Sequence, residues 1–169
     1  MTEAAYKDFF ETLSRKRIIG HDPENGTIRF MLYDPDFFAE YSKFDLDINH
    51  FCLLLSRPDL EIPTANATDL LEHPCSFLII KTTNGNKIQI DETMAQAELI
   101  ALKFWAKLRN IQEENIHLFE KVTLGKRKIS FEKIKGLPDQ SAGVEMVFSL
   151  SEMINYYKYL DDNDWQQDS

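Results

Sequence analysis

Ser76-Phe-Leu-Ile-Ile-Lys81, then Thr82-Thr83-Asn84-Gly85-Asn86, then Lys87-Ile-Gln-Ile-Asp91: how this run is read decides the fold. Asn-Gly between two apolar runs is the strongest short-range hairpin signal, because both central residues of a type I′ turn need positive φ. A turn at Asn84-Gly85 sets Ile79 opposite Ile90 and Lys81 opposite Ile88. The first strand is apolar on both faces, Phe77 and Ile79 on one and Leu78 and Ile80 on the other, which predicts a central strand. Asp91 then reads as a helix N-cap, with Glu92 in the first turn where the helix dipole favours negative charge. Met94, Ala97, Ala101, Phe104, Trp105, Leu108 and Ile111 follow at helical spacing, with Gln96, Lys103, Lys107 and Asn110 on the wet face. This helix is expected to lie across the sheet, with Trp105 in the core.

Upstream, Tyr6, Phe9, Phe10 and Leu13 make the stripe of an amphipathic helix over Glu3 to Ser14. Ile18-Ile19 and Thr27 to Tyr33 read as a hairpin around the turn chemistry of Asp22-Pro23-Glu24-Asn25-Gly26. Asp34-Pro35 starts a short helix carrying Phe37, Phe38, Tyr41 and Phe44. Asp45 to Asn49 opens like a calcium loop, but His50 and Ser56 stand where the turn glycine and the bidentate glutamate belong. Ile48 to Leu55 is therefore a strand, and Ala67 to His73 a short helix stopped by Pro74.

Downstream, Ile116 to Leu124, whose first half also suits a helix, and Lys128 to Ile134 read as a strand pair, and Val144 to Phe148 as a last strand. Ser149 with Glu152 forms a capping box for a C-terminal helix carrying Leu150, Met153, Ile154, Tyr157 and Leu160. The expected class is α+β: a mainly antiparallel sheet built from hairpins, with a long central helix and terminal helices packed on it. Residues 1–160 form one domain, and 161–169 an acidic tail expected to fray.

The 169 residues, 43% of them hydrophobic, suffice for a real core. A net charge of −9 argues against general nucleic-acid binding, since phosphate contacts need a basic surface. No apolar run reaches the roughly 20 residues of a membrane span. Two cysteines, Cys52 and Cys75, with no apolar leader before them, point to reduced thiols in the cytoplasm. Asn25-Gly-Thr27 and Asn66-Ala-Thr68 are then coincidental matches to the glycosylation pattern.

Chemistry is thinly signalled. Strand spacing puts His50 and Cys52 on one face, but a nucleophilic cysteine needs a base within reach and a third group to orient that base, and neither is visible. Glu72, His73 and Cys75 do not make a four-ligand zinc site. The chain carries no phosphate-cradling glycine loop, no Gly-x-Ser-x-Gly and no His-Glu-x-x-His. No catalytic residue, cofactor or metal is assigned. Glu120 to Lys135 holds six bases against two acids, a local +4 that leaves −13 on the rest of the chain. It reads as a lysine-protected sheet edge, or as a docking patch for an acidic partner or phosphate.

These features favour a small acidic, non-enzymatic protein that binds a protein partner, as an inhibitor, immunity protein or secretion-type chaperone or adaptor does. The expected contact residues are Tyr156, Tyr159 and Trp165 among the carboxylates of Asp161, Asp162 and Asp164, together with Phe37 and Tyr41. Aromatics with polar handles contribute most at interfaces, and acidic neighbours steer a basic partner. Two alternatives stand beside this one: a nucleic-acid-mimicking inhibitor of a nucleic-acid-binding enzyme, and a small enzyme with a cleft of His50, Cys52 and carboxylates.

Overall fold

The Asn84-Gly85 turn does not make a hairpin. In the computed structural model, which describes residues 1–34, 46–58, 70–115, 117–126, 128–135 and 140–153, it joins strand β3 (Leu70–Thr82) to helix α2 (Lys87–Asn115). Gly85 takes the expected positive φ of +76°. The chain beyond it is helical because the turn doubles as a cap: Asn86 Oδ1 accepts from Ile88 N at 2.9 Å, and Gln89 Oε1 accepts from Asn84 N at 2.7 Å. Asn86, not Asp91, therefore caps the helix, and the run Lys87 to Asp91 is its first turn.

A strand has only two edges, and both edges of β3 are taken. One pairs antiparallel with β6 (Ser141–Met153) along its whole length, from Leu70 opposite Met153 to Thr82 opposite Ser141. The other pairs antiparallel with β2 (Cys52–Ser56), Leu54 opposite Leu78. Beyond β2 lies β1 (Phe30–Tyr33), paired in parallel. The outer edge of β6 carries two short antiparallel strands, β4 (Val122–Leu124) and β5 (Ser130–Ile134). The six-stranded sheet is thus mixed, not the mainly antiparallel, hairpin-built sheet expected from the tight turns. β4 and β5 pair with β6 rather than with each other.

Other expectations shift with it. Ile18-Ile19 lies in a turn, and Asp22 to Thr27 closes through a short 3-10 turn over Pro23–Asn25, so the first hairpin is absent. His73 lies inside β3, whose span from Leu70 replaces the second half of the expected short helix. β6 runs on through Ser149 to Met153, so Ser149 and Glu152 are strand residues and do not cap a helix. The remainder of the expected C-terminal helix, and the helix after Pro35, lie outside the described residues.

Helix α1 (Glu3–Ser14) forms as its stripe predicts, with Thr2 Oγ1 accepting from Ala5 N at its start. α1 and α2 pack on the same face of the sheet. Phe77 sits at their meeting point, fully buried, with ring centroids 6.5 Å from Phe10 of α1, 5.7 Å from Phe104 of α2 and 5.9 Å from Phe148 of β6. Burying each such side chain contributes about 1.5 to 3 kcal/mol. Trp105 is only half-buried, at the margin of this core. The opposite face holds a smaller cluster of Tyr33, Cys52, Leu54, Leu78 and Ile80. Gly143 lets β3 and β6 close up at one point: a Cβ there would stand 1.9 Å from the Ile79 carbonyl oxygen.

Candidate functional site

His50 and Cys52 come together in sequence but not in chemistry. Asp47, in the turn before β2, accepts from Arg29 at 2.8 and 3.0 Å and lies 2.9 Å from Nδ1 of the exposed His50. Burial pushes the Asp47 carboxyl up, yet His50 and Arg29 together hold it below the usual aspartate value. Cys52 is buried, its Sγ donating to the backbone oxygens of Asp47 and His50 at 3.3 and 3.7 Å. Burial, reinforced by the Asp47 charge and opposed by Arg29, pushes this thiol up to about 12. A thiol so placed stays protonated at neutral pH and is a poor nucleophile. Neither cysteine is in a disulfide, and both are buried. Among the described residues no three His, Cys, Asp or Glu side chains converge as a metal site requires.

The basic segment builds a sheet edge. Between Leu124 and Ser130 the chain advances six residues while β6 advances three, from Leu150 to Val147, so β4 and β5 form one edge strand broken by a wide bulge. Lys126 and Lys128 stand exposed in that bulge, and Lys133 reaches Glu98 of α2 at 3.3 Å. Lysines and bulges are how sheets blunt an open edge. Beside β4 a cavity of about 410 Å³ has His117, Lys121 and Lys126 on its rim and Leu124 and Met153 among its apolar lining. A smaller one, about 260 Å³, lies between α1 and α2 over Leu13, Ile18 and Phe104, with Lys16, Lys103 and Lys107 around it.

The residues expected to contact a partner, Tyr156, Tyr159, Asp161, Asp162, Asp164, Trp165, Phe37 and Tyr41, all lie outside the described residues. The site that the sequence reading missed is the outer face of α2. The inner face is spent on the core through Met94, Ala97, Ala101, Phe104 and Leu108. A second apolar stripe runs along the outside through Ile88, Ala95, Leu99, Leu102 and Ala106, with Ile88 69% exposed, Leu99 53% and Leu102 45%. A surface helix packed on one side needs one apolar face, and this second face has no packing partner among the described residues. The signal was present in the sequence, in the alternating steps of four and three that link Ala95, Leu99, Leu102 and Ala106. Reading Ile88 into a strand hid it.

No family model matches this chain, and comparison with curated proteins and with solved structures finds no match. No helix among the described residues is long and apolar enough to cross a membrane.

Proposed function

We propose that this chain is a non-enzymatic protein-binding domain that presents the outer face of α2 to its partner. One observation carries this reading: Leu99 and Leu102, about half exposed on a helix whose other face is committed to the core, form an apolar surface at helix-pairing spacing with no packing partner among the described residues. Helix-in-groove and helix-on-helix contacts read such i, i+3, i+4, i+7 anchors. The buried, protonated Cys52 thiol and the engagement of His50 Nδ1 with Asp47 support a binding role over the enzyme alternative. An inhibitor, immunity protein, or secretion-type chaperone or adaptor would each use a face of this kind.

The test is site-specific photo-crosslinking in the native host. A benzophenone side chain at Leu102 should give a defined higher-mass protein adduct, and one at Glu24, 78% exposed on the far 3-10 turn, should give none. A Leu102 position that yields no adduct, in protein shown to be folded and expressed, removes α2 as the contact face.

A further inference from the structure

The charges that flank the outer stripe of α2 are arranged with two-fold symmetry. Continued in both directions, the steps of four and three run from Leu99 back through Ala95 to Glu92, and from Leu102 forward through Ala106 to Arg109. Between Glu92 and Arg109 the stripe is therefore symmetric about a point midway between Leu99 and Leu102 in size and complementary in charge: leucine answers leucine, alanine answers alanine, and Glu92 answers Arg109, while Ile88 lies beyond this seam, at the position that answers Glu113. Glu92 is exposed, and Arg109 is 61% exposed and makes a 3.5 Å pair to its own Glu113.

From this pattern we infer that the partner of α2 is a second copy of this chain, paired antiparallel about a two-fold axis between Leu99 and Leu102. The inference rests on the reading of α2 as the contact face. In that arrangement each Leu99 packs on the other copy's Leu102, and each Ala95 on the other's Ala106. The alanines let the two helices approach closely, and Glu92 of each copy closes one end of the seam against Arg109 of the other. A two-fold interface requires this reciprocity, residue i meeting j and j meeting i. Steps of four and three are the seam of a left-handed helix pair with a crossing angle near 20°. From Glu92 to Arg109 the seam is about 26 Å long at 1.5 Å per residue. The flanks do not set like charges against each other: Lys103 faces Gln96 across the axis, and Glu98 faces the half-buried Trp105. The apolar contact is small, which places the dimer among weak interfaces, with a dissociation constant expected on the order of 10 µM.

Sedimentation equilibrium of the full chain from about 5 to 300 µM tests this. The buffer carries about 0.15 M salt, where a Debye length of about 8 Å screens the −9 carried by each copy. Wild type should pass from monomer to dimer across the range. Leu99→Glu should abolish the dimer without changing the thermal melt, because Leu99 is half exposed. Glu92→Arg and Arg109→Glu should each weaken it at least tenfold, and the double variant, which swaps the two charges, should return to within about threefold of wild type. A wild-type monomer at 300 µM overturns the inference, as does a double variant no better than the singles, which rules out the antiparallel register. If Leu102 crosslinks a different protein while the wild type stays monomeric, the contact face stands and self-pairing falls. No adduct at Leu102 removes both.

Discussion

Phe77→Ala should be among the most destabilising single substitutions in this protein. The ring is fully buried and touches an aromatic ring on each of α1, α2 and β6, so the vacated space is walled by three separate elements. None can move in without losing its other contacts, which places the cost toward the top of the usual range of about 3 to 5 kcal/mol for Phe→Ala. For a chain of this size each kcal/mol lowers Tm by about 2 to 4 °C, so the melt should fall by about 6 to 20 °C. Urea denaturation followed by circular dichroism at 25 °C gives the free energy directly. Leu102→Ala is the control. Its side chain is about half exposed and touches only solvent on one side, so it should cost under about 1 kcal/mol. Trp105→Ala should fall between them, because Trp105 is half-buried at the margin of the core. A Phe77→Ala variant within about 1 kcal/mol of wild type, or a Leu102→Ala variant as damaged as Phe77→Ala, would refute the placement of α2 with one face inward and one outward.

Three other sites make predictions of their own. His21 is buried, accepts from Arg29 N at Nδ1 and has Nε2 3.5 Å from Glu11, and burial, only partly offset by Glu11, lowers its pKa. The unfolded chain then takes up the proton first, so the stabilisation is complete above the unfolded value of about 6.5, declines as pH falls through the folded pKa, and is flat below it. A His21→Gln variant should lose that part of the slope in urea titrations as the pH falls below about 6.5. Cys52 should resist iodoacetamide at neutral pH in the folded state and label quickly in urea; fast labelling of the native protein would mean its thiol is neither buried nor protonated. Gly143→Ala should destabilise by about 1 to 3 kcal/mol, as overpacked sites do, and hydrogen exchange should speed up first at the amides of Ile79 to Lys81.

What the sequence disclosed and what it concealed separate along one line: local geometry was legible, and the identity of the partner was not. Glu3 to Ser14 was read correctly as a helix because a 3.6-residue stripe needs nothing from the rest of the chain. The inner face of α2 was read correctly for the same reason. Asn84-Gly85 did signal positive φ, but a left-handed glycine states only that the chain turns, and Lys87-Ile-Gln-Ile-Asp91 alternates well enough to suit a strand while Ile90, Met94 and Ala97 suit a helix. The conflict is settled by β2 and β6, far away in sequence, occupying both edges of β3. Likewise Ser149 and Glu152 have the spacing of a capping box, but β3 extends far enough to hold them in a ladder, opposite Pro74 and Leu71. The parallel β1–β2 pair was illegible because nothing in Phe30 to Tyr33 marks the direction of its neighbour. Of the candidate surface, the outer face of α2 was lost once its first residue was assigned to a strand.

The long ladder between β3 and β6 also sets the order in which this molecule can be made. Its partners are far apart along the chain, from Thr82 with Ser141 to Leu70 with Met153, so the ladder closes loops of 59 to 83 residues before it gains anything. Pairings of such high sequence separation slow folding. On the ribosome, Phe77 to Ile80, apolar on both faces, emerges and must wait through the synthesis of α2, β4 and β5 before its mate exists. At about 5 to 20 residues per second that is a delay of several seconds. During that interval this strand, apolar on both faces, has one edge that β6 alone among the described elements covers, and α2, which forms next and folds locally, can cover one face of it but not that edge until β6 arrives.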